Sequence, residues 1–219
     1  MKQPNLITLT DPRSPASEAY RTLRTNLIFS SLSEPIHTLV VTSPAPEEGK
    51  STALANIAVT MAQGGKKTIL VDCDLRRPSQ HTIWGVEQEP GLTTMMLEDI
   101  ERVPLREVGV ENLRLLTSGP LPPNPADLLT SPRMDAVIER LKGEADFVLF
   151  DAPPVIAVTD AALLAAKLDG ALLVMRAGRT RRDHAEQARD LLQRIHVRIV
   201  GALLMDAPVD IRMGGYYRV

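Results

Sequence analysis

The sequence predicts an α/β fold, a doubly wound and mostly parallel sheet with helices on both faces, and three observations lead there. Five short runs are apolar almost without interruption, helical patterns separate them, and several of the runs close on polar or acidic residues. Strands that read as continuously apolar, and not alternating, are those buried on both faces, which is the condition of a parallel sheet between helix layers. Such a sheet places its ligands outside the carboxyl ends of the strands. With 219 residues, 44% hydrophobic and 24% charged, the chain is long enough for one domain with a substantial core.

The elements follow in order. After a polar leader, residues 14–31 read as a helix: Pro15 suits a first turn, Ser17 is a candidate cap, and Tyr20, Leu23 and Leu27 recur at helical spacing. The strands are HTLVVTS (37–43), KTILVDCD (67–74), ADFVLFDAP (145–153), GALLVMRAG (170–178) and VRIVGALLMD (197–206). Helices are predicted at 51–63, 132–142, 160–167 and 182–195. From Leu75 to Leu129, Pro, Gly and polar residues prevail, and a strand at 113–117 is the single element assigned there. Residues 1–206 are thus read as one domain and 207–219 as a flexible tail, which carries Tyr216 and Tyr217 out of a total of three tyrosines.

Bulk properties exclude some functions. A formal charge of −2 argues against a general nucleic-acid binder, which needs a net basic surface to replace counterions. Cys73 is the only cysteine, so no intramolecular disulfide forms and the chain fits a reducing cytoplasm. The first fifteen residues lack the apolar core of a signal peptide, and no apolar run approaches the ~18 residues that span a bilayer. A membrane role therefore requires a partner.

Directly after the first strand, SPAPEEGKST (43–52) runs into an Ala-rich helix. The strict G-x-x-x-x-G-K-[ST] pattern fails at Pro44. The physical requirement is wider: a phosphate cradle needs consecutive free N–H groups at a helix N-terminus and a cation. Glu47, Glu48, Gly49, Lys50, Ser51 and Thr52 supply the donors, Lys50 the charge, and both Glu side chains must point away. A Gly-terminated turn capped by Ser51 is the simpler alternative. Two other strands end in acid, at Asp72 and Asp74 and at Asp151. Asp is a poor strand former and costly beside a core, so these positions suggest a metal or a proton to hold. Mg²⁺ uses few carboxylates together with substrate phosphates, and the set is read as an MgATP site. Cys73, between two of the acids, reads as a small packing residue.

"ILVDCDLRRP" resembles the second Walker motif of the bacterial tyrosine autokinases (BY-kinases), P-loop NTPases that act as cytoplasmic partners of polysaccharide co-polymerases in capsule and exopolysaccharide assembly. "SPASEAYRTLRTNLIFS", "GPLPPNPADLL" and "FVLFDAPPV" agree, so the likeness covers nearly the whole chain. The resemblance implies that Lys50 contacts the β/γ-phosphates, Ser51 ligates Mg²⁺, Thr52 touches the α-phosphate, and Asp72 is the base or orienter for the attacking tyrosine. Asp74 and Asp151 would organise the metal, with Asp72 also in its ligand set. Glu18, Arg21 and Arg24 form the E-x-x-R-x-x-R that builds a ring of subunits in the family, presenting one tail to its neighbour's site; a solvated helix face is the alternative.

Further implications are a membrane-embedded activator, a phosphotyrosine phosphatase, recruitment to the inner face of the cell membrane, and Tyr216 and Tyr217 as phosphoacceptors. Three departures stand out. Pro44 and Glu47 replace residues that are more commonly small, Asp206 stands where relatives often have Asn near the base, and the tail is short of tyrosines. Arg176, Arg179, Arg181 and Arg182 cluster where a strand meets a helix start, suggesting an anionic ligand, although Asp183 could compensate. A MinD/ParA-type ATPase switch is the competing function; its signature lysine would sit at Ala45. A nucleotide-binding regulator without useful kinase activity is a third.

Overall fold

The computed structural model describes residues 4–30, 34–98 and 102–208, so Tyr216 and Tyr217 and nearly all of the expected tail lie outside the described residues. In chain order the elements are α1 (Ile7–Thr10), α2 (Pro15–Ser30), β1 (Thr38–Thr42), α3 (Lys50–Gln63), β2 (Thr68–Asp72), α4 (Gln80–Trp84), α5 (Leu92–Leu97), β3 (Arg106–Glu107) and β4 (Leu113–Leu116). They continue with α6 (Pro125–Thr130), α7 (Pro132–Lys142), β5 (Phe147–Asp151), α8 (Asp160–Ala165), β6 (Gly170–Arg176), α9 (Arg182–Arg194) and β7 (Ile199–Met205). The strands form one sheet in the order β3-β4-β2-β5-β1-β6-β7, parallel except for the β3–β4 pair.

Alternate residues of a strand point to opposite faces, and here both faces are apolar because both are covered. Val40, Ile69, Val148 and Leu173 enter a core shared with α7, α8 and α9, whereas Leu39, Val41, Leu70 and Leu149 pack against α3 and α2. The connection from β1 to β2 runs through α3 on one face, and that from β5 to β6 through α8 on the other. The reversal leaves a crevice at the carboxyl end of β1, where doubly wound sheets bind ligands.

Two details differ from the sequence reading. The helix cap is Ser14, whose Oγ accepts the Ser17 N–H at 3.2 Å, while the buried Ser17 hydroxyl donates to the carbonyls of Ile7 and Asp11. The leader is also not merely polar: Leu6 is buried, and Thr8 donates both its N–H and its hydroxyl to Asn56 Oδ1 on α3. Among the described residues no helix is long and apolar enough to cross a membrane.

β1 is anchored at its start by Asp169, whose Oδ2 accepts the N–H groups of His37 and Thr38 and the Thr38 hydroxyl at 2.8–2.9 Å. Partial burial pushes this carboxyl up, but the hydrogen bonds from Thr38 and His37 outweigh it and hold its pKa below the ordinary aspartate value. A depressed folded pKa means stability that is present above the unfolded value, near 3.9, and lost as pH falls through the folded one. Asp169→Asn is therefore expected to lose about 1 kcal/mol at pH 7, with the gap to the parent closing as pH falls below the ordinary aspartate value, as read from urea midpoints across that range.

Candidate active site

The loop after β1 is shaped by its own polar groups. Ser43 Oγ donates to the Ala45 carbonyl at 2.8 Å, and the Ala45 N–H donates to Glu48 Oε2 at 3.0 Å. Glu47 and Gly49 take left-handed backbone conformations, with φ of 62° and 84°, a region natural to Gly49 and strained for Glu47. These turns bring the chain into α3, whose ladder opens with the Ala53 N–H on the Gly49 carbonyl at 2.8 Å. The N–H groups of Lys50, Ser51 and Thr52 precede that first bond, so the loop and the 14-residue helix it feeds meet the donor requirement of a phosphate cradle.

Both Glu side chains are engaged by the 176–180 turn. Glu48, 2% exposed, also accepts the Thr180 hydroxyl at 2.6 Å, and Thr180 accepts the Arg176 N–H at 2.7 Å. Glu47 pairs with Arg179 at 2.5 Å.

Beneath the loop lie the strand-end acids. Asp72 and Asp151 are register partners across β2 and β5. Lys50 Nζ donates to Asp74 Oδ2 at 2.9 Å, to Asp151 Oδ1 at 3.2 Å and to Ser51 Oγ at 3.1 Å. Burial by itself would lower the lysine pKa, but the two carboxylates hold it above the ordinary value, so Lys50 is charged at any physiological pH. A pocket of about 300 Å³ opens over this cluster, lined by the loop residues Pro46, Glu47 and 49–52 and by Asp74, Arg77, Ser79 and Pro154.

Asp72 is not placed as expected. It is fully buried and absent from the pocket wall; its Oδ1 accepts the Asp74 N–H at 3.3 Å, and its Oδ2 accepts those of Ser79 and Gln80 at 3.0 and 2.9 Å. The turn after β2 folds back over the strand end and needs an acceptor for these N–H groups, which Asp72 provides. Burial and then the neighbouring Asp151 push its pKa up to about 8, against the pull of the Gln80 N–H, Lys50 and the Ser79 N–H. Among the described residues no group of three or more His, Cys, Asp or Glu is placed to hold a metal ion. A Mg²⁺ that brings its own waters and phosphate oxygens needs few protein oxygens, and those gathered around Lys50 are Ser51 Oγ, Asp74 Oδ2 and Asp151 Oδ1.

Residues without a sequence signal complete the arrangement. Gln80, fully buried, donates Nε2 to Asp151 Oδ2 at 2.8 Å and to the Ser51 carbonyl at 3.0 Å, tying β5 to α3. Asp160, also fully buried, receives Arg76 in a bidentate pair at 2.8 and 2.9 Å. Neither lies in a recognisable motif of its own.

The arginine cluster is locally compensated and does not await an anion. Arg176 pairs with Asp206, Arg179 with Glu47, Arg181 with Asp183 and Arg182 with Glu186. Asp206, at φ 54°, flanks the loop through Arg176, which also reaches the Glu47 carbonyl at 3.4 Å, and it does not line the pocket. On α2, Glu18 and Arg21 pair at 2.7 Å, as their spacing suggests. Arg24 turns inward and donates to the Thr60 carbonyl at 3.2 Å near the end of α3, where a cation is favourable. Cys73 is buried, as a packing residue should be.

Comparison with known proteins agrees with this geometry. The family model described as "ParA: NUBPL iron-transfer P-loop NTPase" matches residues 36–205. The "Tyrosine-protein kinase YwqD" of Bacillus subtilis is 41% identical over 203 residues, 92% of this chain and 86% of that protein. Among solved structures, the chimerical protein CapA2B2 superposes with a TM-score of 0.89 at 35% identity, covering 93% of this chain and 90% of that one. The kinase domain of the Escherichia coli tyrosine kinase ETK gives a TM-score of 0.88 at 30% identity, covering 96% and 84%.

Proposed function

We propose, from the premise that this chain belongs to the bacterial tyrosine-protein kinases among the ParA-type P-loop NTPases, that it transfers the terminal phosphoryl group of ATP to tyrosines of its own tail. The observation that carries the reading is Lys50, held between Asp74 and Asp151 under the free N–H groups of α3. Phosphoryl transfer needs positioning and charge neutralisation more than covalent help.

In this reading the loop N–H groups orient the nucleotide phosphates, Lys50 exchanges carboxylate for phosphate oxygens, and Thr52 lies by the α-phosphate. Ser51, Asp74 and Asp151 would hold Mg²⁺, which would supply neutralisation of the phosphate charge. The tyrosine oxygen forms its bond to phosphorus as the bond to the ADP oxygen breaks. Its proton, on a hydroxyl of pKa ~10, passes to a carboxylate, a role assigned to the ionised form of Asp72. Asp206 is assigned to the nucleoside side through its place beside the loop.

Tyr20 is excluded as an acceptor. It is 5% exposed and donates its hydroxyl to Met205 Sδ at 3.4 Å, and burial followed by the Asp206 charge pushes its pKa up to about 12. That leaves Tyr216 and Tyr217. β7 is parallel to β6, so the chain leaves it on the same edge as the phosphate loop. From there the tail of about ten residues reaches roughly 33 Å, enough for a neighbouring subunit's site.

The test is incubation with MgATP followed by phosphotyrosine mapping. Label is expected on Tyr216 and Tyr217, retained in Tyr20→Phe and lost in the double Tyr216→Phe, Tyr217→Phe variant. ATP hydrolysis without tail label would instead favour an ATPase switch or a regulator.

The finer organisation is likewise proposed. Residues 1–206 form the kinase domain and 207–219 the substrate tail, and Glu18 and Arg21, with Arg24 behind them, form a contact between subunits of a ring. Glu18→Ala with Arg21→Ala is expected to yield monomers in sedimentation; an unchanged assembly rejects the contact. A membrane-embedded co-polymerase would recruit and activate the kinase at the inner face of the membrane, a phosphatase would reset the tail, and the output would be capsule or exopolysaccharide assembly.

A further inference from the structure

The turn that follows β2 carries two consecutive arginines with different fates. Arg76 is committed: both its Nε and Nη2 donate to the buried Asp160 carboxylate, which fixes the turn from outside the pocket. Arg77 is held by its backbone instead, its N–H donating to Asp74 Oδ1 at 3.0 Å. Its side chain is exposed, lines the 300 Å³ pocket, and among the described residues makes no ion pair or hydrogen bond.

Charge at the pocket makes this notable. Lys50 and Arg77 are the two cations of its wall, and Lys50 is already shared by two carboxylates. A nucleoside triphosphate brings several negative charges to a site whose single engaged cation is thus offset. One carboxylate, Asp74, places both cations: Oδ2 takes the Lys50 ammonium and Oδ1 the Arg77 N–H. An unpaired guanidinium on a pinned backbone, at the mouth of a phosphate cradle, is suited to bidentate recognition of phosphoryl oxygens.

We infer that Arg77 is a further catalytic residue, contacting the phosphoryl group being transferred and stabilising the charge that spreads over its equatorial oxygens. The inference rests on the kinase reading above for the identity of the reaction. Contact with the terminal phosphoryl implies discrimination between triphosphate and diphosphate, which binding alone can measure.

The experiment uses the full chain and its Arg77→Ala, Arg77→Gln and Arg77→Lys variants. Displacement of a fluorescent ADP is measured with MgADP and with an Mg²⁺-bound ATP analogue having an imido β–γ bridge, beside the initial rate of phosphotyrosine formation. In Arg77→Ala and Arg77→Gln the triphosphate-to-diphosphate affinity ratio should fall about tenfold with MgADP affinity unchanged, and the rate should fall about 100-fold or more. Arg77→Lys, retaining the charge without the fork, should recover part of both. An affinity ratio within twofold of the parent, or equal losses for diphosphate and triphosphate, overturns the assignment. Should the parent chain transfer no phosphate to tyrosine, the kinase reading fails by itself, and the affinity ratio still decides whether Arg77 reads the terminal phosphoryl.

Discussion

Lys50→Met should reduce phosphotyrosine formation by at least about 100-fold, the effect of removing a preorganised charge from a site where charge develops. The methionine fills most of the volume but leaves Asp74 and Asp151, with side chains 5% and 0% exposed, without their shared cation. An incoming polyphosphate then meets carboxylates where it had met an ammonium. Nucleotide affinity should fall along with the rate, because the same nitrogen serves both. Lys50→Arg separates charge from shape: the guanidinium keeps the acids neutralised, so thermal stability should stay near that of the parent, while the rate stays low because a planar fork cannot occupy the place of a compact ammonium. Undiminished label in Lys50→Met would remove Lys50 from the reaction.

Gly91→Ala should cost about 3 kcal/mol or more of stability, an overpacking loss at the upper end of its class. A Cβ on Gly91 would lie 2.3 Å from the Gly119 nitrogen and 2.4 Å from the Thr117 carbonyl oxygen, both backbone atoms with no side-chain freedom to give way. The close approach lets the N–H groups of Leu92 and Thr93 reach the carbonyls of Thr117 and Ser118 at 2.8 and 2.9 Å, docking the start of α5 against the end of β4. Gly143→Ala is the matching control. Gly143 has φ −70° and ψ −15°, and its Cβ would meet nothing nearer than 3.4 Å, so the change should be neutral or slightly stabilising. Urea unfolding of both variants reads the difference; equal midpoints would mean that the 117–119 backbone yields freely.

The five long apolar runs all become strands, each trimmed by one or two residues at one or both ends, because a strand buried on both faces is apolar at every position and needs no periodicity to be recognised. The stretch from Leu75 to Leu129 was not legible in the same way. Besides β4, which the strand expected at 113–117 becomes, it holds α4, α5, β3 and most of α6, and the helices are five or six residues long, too short for helical periodicity to show. Their order comes from backbone partners such as Gly91 with Thr117 and Gly119, and from Arg106 donating to the Glu89 carbonyl.

At the site, the sequence by itself determined the phosphate loop, Lys50 and the three strand-end acids, since each is a local consequence of a strand running into a turn or helix. The tertiary structure decided which of these groups meet. Gln80 reaches Asp151 across 71 positions of chain, Arg76 reaches Asp160 across 84, and Glu48 reaches Thr180 across 132. A charged or amide side chain takes whichever partner the folded backbone brings within about 3 Å, and no local pattern encodes that choice. Strand order set it here: placing β5 between β1 and β2 put Asp151 beside Asp72 and under Lys50, turned Asp72 toward the backbone of α4, and left Arg77 facing the pocket while Arg76 was drawn away to Asp160.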